Sequence, residues 1–585
     1  CPSFCPRTCK CAWGLRLGRR LQGSGTPCRA HQLMARVRLR PSAASPLGAG
    51  FGCCEVELRS FDAEKACWEV ALGTSGAPAA VRPSCLEVVE GGEEVEAVRR
   101  REVIVEGERE WKGLCGAFLA TADRWRVELE GGVAAQLPSD VLRDAGSGRR
   151  VRNPVAVGEW PDREGQKALF ATEDVPAGRI LFQEDPLLVI PAPEECTWQV
   201  ACLLGVEAFL ELPKDKQALL LELHAEDLFS VYSIKAKTMT MLNRDFRDPE
   251  TEQHFLSKEE VLANTGLSEV MESDAQTDDV WRFLCVMQAN GMELDGYNAL
   301  FPLLSHMNHS CEPNASCLDH EDGKVVTAVR DIRQGEQITI SYIGESQLLE
   351  PPALRRRYLS HWGFVCCCAR CSVKEEPLRA FLCPEGCGGT CIPTSEGRLT
   401  DCGRCGHPVD AAEAQCMLQM EDAIVDGVLH AERNSRLLGQ EPTCLDELLE
   451  QAGELLSPLH WVLARLHSLG RDHFRQKLDL PSAEHHAALE LRFLRHHMRW
   501  PNPHTALVGH VRADMLLALG RCAEAFAEYS SSLQELLRVL PASSRLCEAV
   551  LRKLWRTLQG PAPEEAETPE AEAGPRASSA SVSEE

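Results

Sequence analysis

Asn308-His309-Ser310-Cys311-Glu312-Pro313-Asn314 brings amide, imidazole, hydroxyl, thiol and carboxylate groups together directly after the apolar Leu300-Phe301-Pro302-Leu303-Leu304. A bland loop is the competing reading, but polar groups set between an apolar run and a strand need partners, which makes this stretch a candidate site. About 50 residues on comes Phe364-Val365-Cys366-Cys367-Cys368-Ala369-Arg370-Cys371. Cysteines two and three positions apart can set three thiolates around one ion, and tetrahedral Zn²⁺ takes four. A fourth ligand must then come from a distance, and Cys311 is the natural candidate. Spacing alone does not exclude Cys367. A second cluster is Cys383-x3-Cys387, followed after fourteen residues by Cys402-x2-Cys405. Two cysteine pairs across a short loop read as a zinc ribbon or knuckle, with Cys391 and His407 as spare ligands. Unpaired structural cysteines are the alternative there, disfavoured because free thiol pairs are a redox liability.

Three ordered motifs, Asn308-His309-Ser310-Cys311, Gly335-Glu336-Gln337-Ile338-Thr339-Ile340-Ser341-Tyr342 and Phe364-x-Cys366-x-Cys368-x2-Cys371, resemble a SET-domain protein-lysine methyltransferase. More narrowly they resemble the SET and MYND domain (SMYD) family. The resemblance begins at Leu169-Phe170-Ala171-Thr172-Glu173-Asp174-Val175-Pro176-Ala177-Gly178, covers about 160 to 410 well, and reaches 410 to 560 loosely. It implies an enzyme in which S-adenosylmethionine and a substrate lysine enter from opposite faces and meet in a narrow channel, where the amine attacks the sulfonium methyl in line. A free lysine has a pKa near about 10.4, so it must lose a proton first, and a dry channel beside a cation favours that loss.

The same resemblance assigns roles. Tyr342 matches the catalytic tyrosine, which also borders the cofactor; its competing reading is a strand-end tyrosine capping a core. Asn308 and His309 match residues that hold the cofactor, Asn290 resembles an upstream cofactor-binding asparagine, and Phe364 looks like the aromatic that packs over the cofactor. Cys311, Cys366, Cys368 and Cys371 match a structural zinc set that leaves out Cys367. With Cys383, Cys387, Cys402 and Cys405 this gives about two structural zinc ions per chain, each closed by four protein ligands. Two features depart from the family. Between 190 and 290 the chain lacks the cysteines and histidine of a MYND finger, so partners of that finger are not expected. The glycine-rich approach to the first strand reads Gly165-Gln166-Lys167-Ala168, and an alanine at the close-approach position would narrow or weaken cofactor binding.

These groups need a scaffold, and the pattern predicts an α+β multidomain chain. Residues 1–35 form a basic, cysteine-containing leader; within 1–40 there are nine Arg or Lys and no Asp or Glu. An organelle transit segment and a nucleic-acid arm fit that composition, but an unstructured extension is the expectation. The chain opens on Cys1 rather than Met, from which a missing natural N-terminus is expected. Two similar units follow at 36–95 and 96–148. Trp68-Glu69-Val70-Ala71-Leu72 in one and Trp125-Arg126-Val127-Glu128-Leu129 in the other alternate apolar and polar residues beside glycine turns. They look like SH3-like β barrels that dock onto other proteins; plain core tryptophans of two small sheets are the competing reading. The SET-type, β-rich domain is expected at 155–365, with a helical insertion at about 195–290, then the post-SET zinc site and ribbon at 366–410. Helical spacing resumes at 411–560, where an αα-hairpin around Gly520 looks tetratricopeptide-like. Residues 561–585 hold seven acidic residues and one basic residue, an expected disordered tail.

Composition closes off other classes. The 585 residues suggest several domains, and 44% hydrophobic with 25% charged residues is ordinary for a globular chain. No apolar run approaches the roughly 20 residues of a membrane span, so no membrane partner is expected. Against 62 Lys and Arg stand 87 Asp and Glu, a net charge of −25 that disfavours nucleic acid. The 28 cysteines, without a signal-peptide pattern, point to metal ligation in a reducing compartment, cytoplasm or nucleus. The expectation is therefore a monomeric, zinc-stabilised lysine methyltransferase acting on a histone tail or another protein with an accessible lysine. The alternative is a SET-like scaffold that has lost catalysis and binds protein partners.

Overall fold

The computed structural model describes residues 101–105, 111–129, 133–145, 150–161, 165–191, 197–227, 229–230, 255–269, 271, 273–362, 364–438 and 444–559, with the backbone of five earlier strands. The leader at 1–35, the tail at 561–585 and the side chain of Trp68 lie outside the described residues.

The five early strands are β1 (Arg36–Leu39), β2 (Glu55–Asp62), β3 (Cys67–Leu72), β4 (Ala77–Val81) and β5 (Leu86–Val89), paired antiparallel in the order β4-β3-β2-β1-β5. The next five are β6 (Arg101–Val105), β7 (Trp111–Leu119), β8 (Arg124–Leu129), β9 (Val133–Leu137) and β10 (Leu142–Asp144). They repeat the order as β9-β8-β7-β6-β10, again antiparallel. Trp68 and Trp125 sit on the third strand of their respective units. Trp125 is buried against Phe118, and its indole N–H donates to Ser139 Oγ at 3.1 Å, so the one polar atom of a large apolar ring is satisfied.

The second unit continues into the following domain. Strands β11 (Val155–Glu159) and β12 (Lys167–Ala171) form a hairpin whose turn holds Gly165 at φ +77. Strand β13 (Ile180–Glu184) then pairs in parallel with β7 at Gln183 and Leu119, and Ala120 N–H donates to Gln183 O at 2.8 Å. One sheet therefore runs from β10 through β6, β7 and β13 to the later strands, and Phe118, Trp125 and Val127 share a core with Leu169, Phe182, Phe301 and Val326.

After β14 (Leu188–Ile190) the insertion is helical: α1 (Trp198–Leu210), α2 (Lys214–Leu221), α3 (Lys258–Thr265) and α4 (Asp274–Asn290), with the short pair β15 (Phe229–Ser230) and β16 (Phe255–Leu256) between α2 and α3. Helix α3 starts at a capping box in which Ser257 and Glu260 each satisfy the other's backbone N–H. Phe209 stacks on Phe283 at 4.3 Å and closes the insertion's own core. Strands β17 (Met292–Leu294) and β18 (Tyr297–Leu300) bring the chain back, β18 pairing with β14.

The site strands are β19 (Asn308–His309), β20 (Ala315–His320), β21 (Gly323–Ala328) and β22 (Thr339–Ile340), followed by α5 (Glu345–Leu348) and α6 (Pro352–Leu359). The short strands β23 (Phe381–Leu382) and β24 (Thr390–Cys391) belong to the second cysteine cluster. Seven helices complete the described chain: α7 (Ala411–Leu438), α8 (Leu445–Leu455), α9 (Trp461–Gln476), α10 (Leu480–His497), α11 (Pro503–Ala518), α12 (Cys522–Leu537) and α13 (Arg545–Gln559). From α9 onward each packs on the next, and Gly520 at φ +74 makes the turn between α11 and α12. Their far end rests on the sheet, where Val325 and Val329 pack with Ala513, Leu536 and Leu554 and Thr327 Oγ1 donates to Val539 O at 3.0 Å.

Candidate active site and metal centres

Strand β19 is only two residues long, yet its neighbours fix it well. It pairs in parallel with β22, Asn308 opposite Thr339 and His309 opposite Ile340. Ser310 N–H donates to Ile340 O at 2.9 Å. Asn314, almost fully buried, locks the same junction: its Nδ2 donates to Gln337 O at 2.8 Å and Glu336 Oε1 at 3.1 Å, and its Oδ1 accepts from Thr339 N–H at 2.8 Å. Tyr342 follows β22, and its own N–H donates to His309 Nδ1 at 3.0 Å. That bond places the imidazole proton on Nε2, which lies 3.2 Å from Cys311 Sγ and donates to it. Burial pushes His309 down to about 4, so the ring is neutral at neutral pH.

The hydroxyl of Tyr342 donates to Met307 O at 2.7 Å. Burial pushes this phenol well above its ordinary range, so it stays protonated and can orient a neighbour but cannot serve as a phenolate base. Aromatic rings surround it: Trp362 at 5.4 Å, His309 at 5.5 Å and Phe364 edge-on at 6.2 Å. The structure thus brings His309, Tyr342 and Phe364 together, and adds Trp362, which sequence reading did not single out. Asn308 joins them through β19, and its side-chain Nδ2 is buried without a hydrogen-bond partner among the described residues. An orphaned buried donor beside an aromatic enclosure fits a polar ligand such as S-adenosylmethionine. Asn290 is used differently: at the end of α4 its Nδ2 donates to Val286 O at 3.0 Å and His224 O at 2.9 Å, tying the insertion together. Ala168, at the departing glycine-rich segment, is fully buried opposite Gly158 in the β11–β12 hairpin.

The Sγ atoms of Cys311, Cys366, Cys368 and Cys371 all lie within 4.8 Å of one another, with Cys311 and Cys371 at 3.4 Å. Cys367 is exposed and outside this group. Thiols this close affect one another: hydrogen bonds with Cys311 and Cys366 hold Cys371 down to about 6, whereas Cys311 is pushed up. A cation that takes thiolates resolves that conflict, and four sulfurs in this arrangement fit tetrahedral Zn²⁺. Arginines grip the backbone that carries the ligands. Arg356 donates to Cys366 O and Cys371 O at 3.1 and 2.8 Å, and Arg370 donates to Cys311 O at 3.1 Å.

The second group is Cys383, Cys387, Cys402 and Cys405, again within 4.8 Å of one another. Gly389 N–H points to Cys387 Sγ at 3.3 Å and Arg404 N–H to Cys402 Sγ at 3.4 Å, so backbone donors meet a sulfur on each side of the site. A Cβ on Gly389 would stand 2.6 Å from Cys402 Sγ, which requires glycine there. Cys391 and His407 lie outside the four-sulfur group; Cys391 is buried with Phe381 and Leu399 in the core shared with α7 to α11.

Glu184 also escaped sequence reading. Fully buried at the end of β13, it accepts Leu303 N–H on one carboxylate oxygen and Leu304 N–H on the other, each at 2.8 Å. These amides open the turn that leads into Asn308 and His309. A lone glutamate ending a strand carries no local signal of that task.

Residues 166–343 match the SET domain family, so the chain carries a SET domain and the expected resemblance holds. Histone-lysine N-methyltransferase ASHR1 of Arabidopsis thaliana is 38% identical over 117 residues, 18% of this chain and 24% of that protein. SET domain-containing protein SmydA-8, isoform B, of Drosophila melanogaster is 36% identical over 143 residues, 22% of this chain and 31% of that protein. Protein-lysine N-methyltransferase SMYD4 of Danio rerio is 25% identical over 228 residues, 31% of this chain and 30% of that protein. The chain spans between about a quarter and a third of the length of these relatives.

Proposed function

We propose that this SET domain transfers a methyl group from S-adenosylmethionine to lysine side chains of proteins. The observation that carries the reading is the junction of Asn308, His309 and Tyr342 beside a four-cysteine group, within and directly after the stretch that matches the SET family. S-adenosylmethionine supplies the electrophilic methyl group when bound. Asn308, through its free amide N–H, and the backbone of β19 would hold the cofactor's polar groups. The half-buried rings of Tyr342, Trp362, Phe364 and His309 would limit water once a ligand is bound and offer π faces that favour a cationic guest. Tyr342 keeps its proton and orients the attacking amine, which must arrive neutral; a dry site lowers the cost of that deprotonation.

Two closed zinc sites per chain fit the two four-sulfur groups, and both would be structural. The shared strand order of the two N-terminal units supports reading them as SH3-like barrels, and the consecutive packing of α9 to α13 supports a tetratricopeptide-like region. The domain limits set out from the sequence, a monomeric state and residence in cytoplasm or nucleus belong to the same proposal. A net charge of −25 favours basic protein substrates, histone tails among them. Calorimetric titration with S-adenosylmethionine tests the reading: the protein should bind it, and Asn308→Ala should weaken binding about tenfold, the cost of one good polar contact. Absence of binding by the folded, zinc-loaded protein would favour the inactive scaffold.

A further inference from the structure

Arg355 on α6 is completely buried. A guanidinium keeps its proton in any protein environment, so this is a positive charge taken out of water, and such a charge needs a counter-charge. Among the described residues no carboxylate forms an ion pair with it. Its side chain donates to the carbonyls of Glu350 and Arg370, the latter at 3.3 Å, and reaches Cys371 Sγ at 3.5 Å, while Nε has no hydrogen-bond partner. Two carboxylates stand in its surroundings. Glu350 is engaged by Arg465 at 3.0 Å and Tyr358 at 2.7 Å, and Glu376 accepts Leu378 N–H at 3.2 Å. Burial pushes both carboxyls up, which weakens each as a source of negative charge. Among the described residues, the source of negative charge that the guanidinium itself touches is the cysteine cluster, through Cys371 Sγ.

A zinc ion held by four thiolates is a dianion, and a dianion in a buried site needs compensation as much as the arginine does. We propose that Arg355 is the buried counter-charge of the first cysteine site, a positioning residue that holds the zinc ion among Cys311, Cys366, Cys368 and Cys371. The proposal rests on the zinc reading given above. Arg356 and Arg370 fix the ligand carbonyls of Cys366, Cys371 and Cys311. Metal and arginine then stabilise each other: with the metal gone and the thiols protonated, Arg355 is a lone buried cation. The second site is built differently. Backbone N–H groups meet sulfurs at both sites, but here the nearby guanidinium, that of Arg404, sits on an exposed residue and donates to Cys387 O rather than to a sulfur. It serves as an internal reference.

The test is zinc release from the full chain. Elemental analysis counts the bound zinc, and a chromogenic chelator then follows its loss in two phases, which Cys402→Ser assigns by disabling the second site. Arg355→Met keeps the apolar stem and removes the charge. It should speed release from the first site about tenfold, the usual scale for an outer-sphere partner, and leave the second unchanged. Arg355→Lys should restore much of the difference. An unchanged first phase in Arg355→Met, or equal acceleration of both phases, overturns the proposal. If Arg355→Met does not fold, Arg355→Lys decides: two bound zinc ions support a charge role, and one overturns it. A wild-type protein with two zinc ions isolates this inference from the zinc reading; one without zinc removes both.

Discussion

Tyr342 shows how burial limits a residue's chemistry. Its phenol stays protonated and its hydroxyl is held by Met307 O, so in the proposed reaction it would orient the amine rather than act as a base. Tyr342→Phe should cost about 1 kcal/mol of stability, one net hydrogen bond, leave cofactor affinity nearly unchanged, and lower methyl transfer about 10- to 100-fold. Thermal melts, calorimetry and a rate assay separate these three outcomes. Glu184 makes the complementary case. Removing its carboxylate in Glu184→Ala strands two buried amides, at a cost of about 2–4 kcal/mol. Burial raises its pKa from 4.5 to about 7, so the folded state holds this proton more tightly than the unfolded chain. The associated stability is fully present below 4.5 and lost as pH rises through about 7. The gap in melting temperature between wild type and Glu184→Ala should therefore narrow over that range. The two cysteine groups were legible because four thiols suited to a metal leave a spacing in the sequence. Arg355 was not, since a run of three arginines has the look of a solvated face, and Trp362 gains its meaning only from the ring of Tyr342 beside it.

Among elements, the helical region carries a pH dependence of opposite sign. Burial lowers His467 to about 3, and His497 and His504 to about 4, so all three are neutral in the fold. The unfolded chain takes up protons near the ordinary value of 6.5, so the stability from these groups is present above 6.5 and lost as pH falls toward 4. His467 packs against His486 with their Nδ1 atoms 3.0 Å apart, and a second proton so close would add repulsion. Circular dichroism melts over that range should show helix lost at progressively lower temperature. Helical periodicity made these elements readable from the chain, as did Gly520 between α11 and α12. The partners of each helix were not readable. The ribbon's Phe381 and Cys391 share a core with Leu456 and Trp461, residues distant in sequence whose match leaves no local trace.

For the whole molecule, the telling feature is the sheet that passes from the second N-terminal unit into the SET domain. The repeat was visible in its tryptophans and glycine pairs. The parallel pairing of β7 with β13 was not, because it joins strands far apart in sequence through ordinary backbone bonds. It follows that the second unit supports the SET domain. Trp125→Ala should destabilise the SET domain itself by about 3–5 kcal/mol, read as a lower melting temperature of the full chain. An unchanged melt would mean the second unit folds independently of the domain it touches.

The proposal of methyl transfer at Tyr342 draws on all three scales. The most direct measurement incubates the full, zinc-loaded chain and its Tyr342→Phe variant with methyl-labelled S-adenosylmethionine and basic proteins, histones first, and locates label on lysine by mass spectrometry. Label on lysine with the wild type, reduced about 10- to 100-fold by Tyr342→Phe, is the predicted result. A wild-type protein that binds the cofactor yet labels no lysine, or a variant that labels as well as the wild type, would contradict the account.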